Sequence, residues 1–202
     1  MIDTTNLKYP LFEACITDDN TEGIERISMV EAPAVGNNLF MLFDENKPLQ
    51  LFKKNEDLQL ITGVAMLANT PIYRRYGDSE YYIYFSPETI LKSVEKYNKE
   101  QRTNLLTLHH KDIKVEAILV ESYIISEERG VKNTFFSDIP DGSWVVTYKI
   151  NDTDLWEQLK TTNDFNGFSI ECVYAEIPSE FQYIDPEIEV LEEMLNIINK
   201  IK

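Results

Sequence analysis

The sequence predicts a mainly β protein with peripheral helices (α+β), arranged as a mostly antiparallel barrel or sandwich. Three observations lead there. Runs rich in aromatic and β-branched residues recur along the 202 residues, as in Glu80-Tyr81-Tyr82-Ile83-Tyr84-Phe85. Turn signals such as Gly77-Asp78 and Asp141-Gly142 separate them. Helical spacing appears in three places and does not follow each strand, so a doubly wound parallel sheet is not expected.

Taken in order, residues 1–22 carry few signals and are expected to form an N-terminal extension. Ile24-Glu25-Arg26-Ile27-Ser28-Met29-Val30 reads as a strand, stopped by Pro33, which cannot donate to a ladder. Residues 39–43 form a second apolar run, and the polar stretch 47–57 reads as a loop. Residues 60–67 and 80–85 are further strands. Ser86-Pro87-Glu88 starts a helix, with a hydroxyl cap, proline in the first turn and an acid beside it. Ile90, Leu91, Val94 and Tyr97 continue it at helical spacing. Residues 105–110, 115–126 and 144–150 return to strand character. Asn151 or Asp152 caps a short helix bearing Leu155, Trp156 and Leu159. Residues 167–175 form the last strand. Asp185-Pro186-Glu187 opens a final helix whose wide apolar stripe includes Leu191, Leu195 and Ile198. The organisation is an extension (1–22), a barrel-like domain (23–180) and a C-terminal amphipathic helix (181–202).

The formal net charge of −16 disfavours a general nucleic-acid binder, because phosphates would be repelled. No apolar run approaches the ~20 residues that span a bilayer, so no membrane partner is expected. The polar, acidic N-terminus does not read as a signal peptide. Two distant cysteines, Cys15 and Cys172, make no disulfide framework and suit a reducing compartment.

The chemistry narrows to few residues. There is no zinc, calcium or phosphate-loop motif, so no cofactor or metal is expected. The chain holds two histidines, His109 and His110. A serine hydroxyl needs a base to take its proton, and a histidine can serve near neutral pH. Pattern alone does not choose between the two. Asn166-Gly167-Phe168-Ser169-Ile170-Glu171 offers a serine on an apolar strand, two residues after a glycine. It lacks the second glycine of a nucleophile elbow, so an α/β-hydrolase is not indicated. A strand serine bonded to backbone is the plain alternative. Glu25, Glu121 and Glu171 are acids in apolar strand contexts, where each could orient a histidine or form an ordinary ion pair.

Several segments, in order, resemble the phage prohead (capsid maturation) serine proteases, whose fold is shared with herpesvirus assemblin. They are residues 23–34, with Ile27-Ser28-Met29-Val30 followed by Pro33-Ala34, then Pro71-Ile72-Tyr73-Arg74 and Tyr81 to Ser86. Leu108-His109-His110, Val120-Glu121-Ser122-Tyr123, Trp144-Val145-Val146, Trp156 and the Ser169 stretch complete the set. The first element stands early in the chain, as in a subgroup that looks circularly permuted. The resemblance implies a closed, assemblin-like barrel. It implies a serine endopeptidase with Ser169 as nucleophile and His110 as base. Glu121 is the favoured third residue, ahead of Glu25 and Glu171. It further implies scaffold and major capsid protein as substrates, self-cleavage, a homodimer, and a place in the host cytoplasm inside the immature capsid. A protease-fold assembly protein without activity is the alternative.

Overall fold

The computed structural model describes residues 2–4, 7–34, 52–55, 58–132, 136, 139–162 and 164–179. Twelve strands and two α-helices are found among them. In order they are β1 (Leu11–Cys15), β2 (Gly23–Val30), β3 (Phe52–Asn55), β4 (Leu60–Met66), β5 (Ile72–Tyr76) and β6 (Ser79–Tyr84). Helix α1 (Pro87–Lys99), a short 3-10 turn (Arg102–Asn104), β7 (Leu106–Leu108), β8 (Lys111–Lys114), β9 (Ala117–Ile124) and β10 (Trp144–Ile150) follow. Helix α2 (Thr153–Thr161), β11 (Gly167–Val173) and β12 (Ala175–Pro178) close the series. The strand expected at 39–43 and the helix expected at 181–202 lie outside the described residues. No helix among the described residues is long and apolar enough to cross a membrane.

The mainly β character with flanking helices is as expected, but the closed barrel is not. The strands form three separate four-stranded sheets, ordered β12-β1-β6-β5, β3-β4-β10-β9 and β11-β2-β7-β8. Pairing is antiparallel except for β1 with β6 and β2 with β7. A barrel needs one ladder that runs around the whole ring with a fixed stagger. Here the chain turns corners instead. It passes from β8 to β9 across Val115-Glu116, and from β11 to β12 across Tyr174, changing sheets each time. The register shift opposite Thr107/Leu108 leaves Asp112 and Ile113 as extra residues on β8 just before its corner, and a bulge of this kind bends a strand out of its sheet. What joins the sheets is a shared core. Ala14 and Ile83, Ile27 and Phe168, and Ile61 and Trp144 all belong to one buried cluster.

Local signals account for the helices. The Ser86 hydroxyl accepts from the Thr89 amide at 3.2 Å, and Pro87 occupies the first turn, where its missing N–H costs nothing. Helix α1 buries Ile90, Val94 and Tyr97 and packs against β2. The Asp152 carboxylate caps α2 by accepting from the Leu155 amide at 3.0 Å. Within residues 1–22, expected as an extension, β1 forms and lies between β12 and β6. Part of the expected loop 47–57 forms β3, which pairs with β4.

Candidate active site

The serine stretch forms the end strand of the sheet β11-β2-β7-β8. Alternation sorts its side chains. Phe168 is fully buried in the shared core and Ile170 packs against it. Ser169 and Glu171 take the opposite face. On β2, Ile27 and Met29 enter the core while Arg26 and Ser28 take the polar face. Gly167 shares the face of Ser169. A Cβ there would lie 2.7 Å from Pro33 Cγ, so glycine lets the chain leaving β2 pack against the start of β11. This explains the glycine two residues before Ser169 by packing.

Register then builds a row of hydroxyls. Ser169 pairs with Ser28, and Ser28 pairs with Thr107. The Ser28 and Thr107 hydroxyls lie 2.5 Å apart. Ser28 donates to Glu171 Oε1 at 2.9 Å, and Arg26 Nε donates to Glu171 Oε2 at 2.7 Å. Arg26 also reaches Asp112 at 2.5 Å, tying β2 to β8.

His110 enters this network from the side. Residues 109 and 110 do not extend the strand as expected. They are the two-residue loop of the β7–β8 hairpin, with φ of 50° and 57°. Two positive φ values in such a loop mark a type I′ turn, which normally takes Asn-Gly. Leu108-His109-His110-Lys111 lacks that signature, so sequence periodicity favoured a strand. The turn carries His110 Nδ1 to 3.4 Å from Glu171 Oε1, with the ring 42% exposed. His109 goes elsewhere. Its ring stacks on Phe165 at 4.8 Å, and its amide donates to the Met29 carbonyl at 2.9 Å.

Glu171 is therefore the acid brought to a histidine. Partial burial pushes its pKa up. The hydrogen bonds from Arg26 and Ser28 and the charges of Arg26 and His110 outweigh that and hold the carboxyl below its ordinary range. Glu121, the favoured third residue, sits on β9 in a different sheet and accepts from the Thr147 hydroxyl at 2.5 Å. Glu25 is exposed on β2, at the mouth of a groove flanking β11. Ser169 is 7% exposed, and no hydrogen bond among the described residues joins it to His110. Arg26, Ser28 and Thr107 were missed as site residues. Their signal was polar residues at alternate positions inside apolar strands, which reads equally as an exposed face.

A polar sheet face with a serine, a histidine and a carboxylate suits a serine hydrolase. Residues 49–177, more than half of the chain, match the family described as "Putative phage serine protease XkdF". The chain belongs to that family of phage serine proteases. The matched span includes Ser169, His110 and Glu171, as well as Glu121. No curated protein and no solved structure matches the chain.

Proposed function

We propose that the protein is a serine endopeptidase of capsid maturation, with Ser169 as nucleophile, His110 as base and Glu171 as the acid that orients the histidine. The observation that carries this is the contact of Glu171 with His110 Nδ1, two residues along β11 from Ser169. A carboxylate at Nδ1 leaves Nε2 free to take a proton from a serine and stabilises the imidazolium that forms. Arg26, Ser28 and Thr107 fix the carboxylate. His110 takes the Ser169 proton, Ser169 attacks the scissile carbonyl, and the protonated His110 gives its proton to the leaving amine. Water then releases the acyl group, with His110 again as base. Apo sites often hold such groups at long distances that tighten when substrate binds.

The finer assignments rest on the resemblance to prohead proteases. Scaffold and the major capsid protein are the substrates, the protease cleaves itself, it forms a homodimer, and it works inside the immature capsid. The pairing of β2 with β11 supports a permuted relation, since the early element then lies beside the serine strand. Wild-type protein is expected to label with a fluorophosphonate and to cleave itself or scaffold, and Ser169→Ala to do neither. Equal cleavage by Ser169→Ala would remove Ser169 as nucleophile. A second reading, an assembly protein with a silent site, is favoured by the low exposure of Ser169. Absence of labelling and cleavage in the wild type would select it.

A further inference from the structure

A groove of about 620 Å³ opens beside β11, against the sheet that holds β5 and β6. Ile83 and Phe85 line one side, and Ile170, Cys172 and Tyr174 line the serine-strand side. Arg74, on β5, lines it as well.

Two features give the groove a direction and a chemistry. First, β11 ends its sheet, with β2 on one flank and no strand paired to the other among the described residues. An end strand presents free backbone groups to which an extended peptide can add. Second, Arg74 is a partly buried cation that no carboxylate among the described residues contacts directly, although the charge of Glu176 acts on it from nearby. Its one hydrogen bond there runs from Nη1 to the Tyr73 carbonyl at 3.0 Å. Burial pulls its pKa below the ordinary value, yet a guanidinium stays charged. Its unused donors form a planar fork suited to a carboxylate.

The acids nearby are engaged or peripheral. Glu176 accepts from the Tyr81 hydroxyl at 3.1 Å, Glu171 is held by Arg26 and Ser28, and Glu25 is exposed. A chain of net charge −16 repels acidic peptides in general, so an acidic preference has to come from one placed cation. We propose that the groove seats an extended substrate segment along β11, and that Arg74 is the specificity-determining residue for a single Asp or Glu side chain in it. The proposal rests on the protease reading of the Ser169 site. Glu25 and Glu176, which also line the groove, select against further acids, so the other residues of the segment are neutral or basic.

The test uses the 202-residue chain carrying Ser169→Ala, immobilised and exposed to an equimolar library of randomised octapeptides, with retained peptides sequenced. Asp and Glu are expected to be enriched about tenfold over Asn and Gln at one position, the scale of one charge-assisted hydrogen bond. Adding Arg74→Gln removes the enrichment, and Arg74→Lys keeps part of it. Arg74→Met, which keeps an apolar stem against the groove wall, is the second variant if Arg74→Gln does not fold. No acidic enrichment, or enrichment that survives loss of the guanidinium, overturns the proposal. Fluorophosphonate labelling of Ser169 reads the protease separately. Labelling without acidic preference refutes the groove alone. An Arg74-dependent preference without labelling refutes the enzyme and leaves the groove as a peptide site.

Discussion

Two hydroxyl ladders run across this protein, and each ends on a glutamate. In one sheet Thr62 and Thr147 lie 3.0 Å apart, and Thr147 donates to Glu121. In another Thr107 and Ser28 lie 2.5 Å apart, and Ser28 donates to Glu171. Along the sequence the two glutamates look alike, each an acid inside an apolar strand. What differs is the neighbouring connection. The Glu171 ladder includes β7, whose hairpin turn delivers His110, and β2, which supplies Arg26. The partner that makes a carboxylate chemically useful thus comes from strand order, not from the carboxylate's own surroundings.

Exchanging each acid for its amide is the sharpest way to break this comparison. Glu171→Gln is expected to lower kcat/KM for scaffold or self-cleavage by about 10³-fold, within reach of losses seen when a triad carboxylate becomes an amide. Glu121→Gln is expected to change it by less than about threefold, because Glu121 touches neither histidine nor Ser169 in the described contacts. Equal losses at both positions would show that the two ladders act as one unit. A loss confined to Glu121→Gln would return the third role to β9.

How much of this could be read from residues alone follows the range of each signal. Helix α1 was legible to its cap because Ser86, Pro87 and the i, i+4 spacing are local. Strands β2, β6, β10 and β11 were legible from composition and alternation. Ser169 and His110 could be named from an ordered set of short motifs, although their roles remain proposals. Three things were not legible. The sheets do not close, since closure depends on which distant strands pair. His109-His110 is a turn built without the usual turn residues, its positive φ values held by the β7–β8 pairing. Glu171 rather than Glu121 meets the histidine, because β2 lies beside both β11 and β7, and a strand carries no mark of its neighbours.

Acid titration probes the Glu171 ladder with a smaller effect. Its carboxyl is held below the ordinary range in the folded protein. Such a group contributes stability that is fully present above its unfolded pKa of about 4.3, and that is lost as pH falls through the folded value. At pH 7, Glu171→Gln is expected to lower the unfolding free energy by about 1–2 kcal/mol, through weaker bonds to Arg26 and Ser28. Below about pH 4 the wild type approaches the variant and the difference shrinks, a crossover measurable by urea denaturation at a series of pH values. A difference independent of pH would mean that the charge on Glu171 contributes nothing to folding.

The turn gives the smallest effect, and the one that best separates stability from function. Residues with a Cβ cost about 1 kcal/mol in the left-handed region, and glycine does not. His110→Gly removes that cost and loses only a half-exposed ring contact to Glu171, so it is expected to stabilise the fold by about 0.5 kcal/mol. It is also expected to abolish fluorophosphonate labelling of Ser169. His109→Gly gains the same backbone relief but gives up the stack on Phe165, worth about 0.5–1.5 kcal/mol, so stability stays near that of the wild type and labelling persists. Stabilisation with lost labelling at one position, and neither at its neighbour, would show a strained turn kept for His110. Destabilisation by His110→Gly would mean that the turn is held by the His110 side chain, and would remove strain from the account of the site.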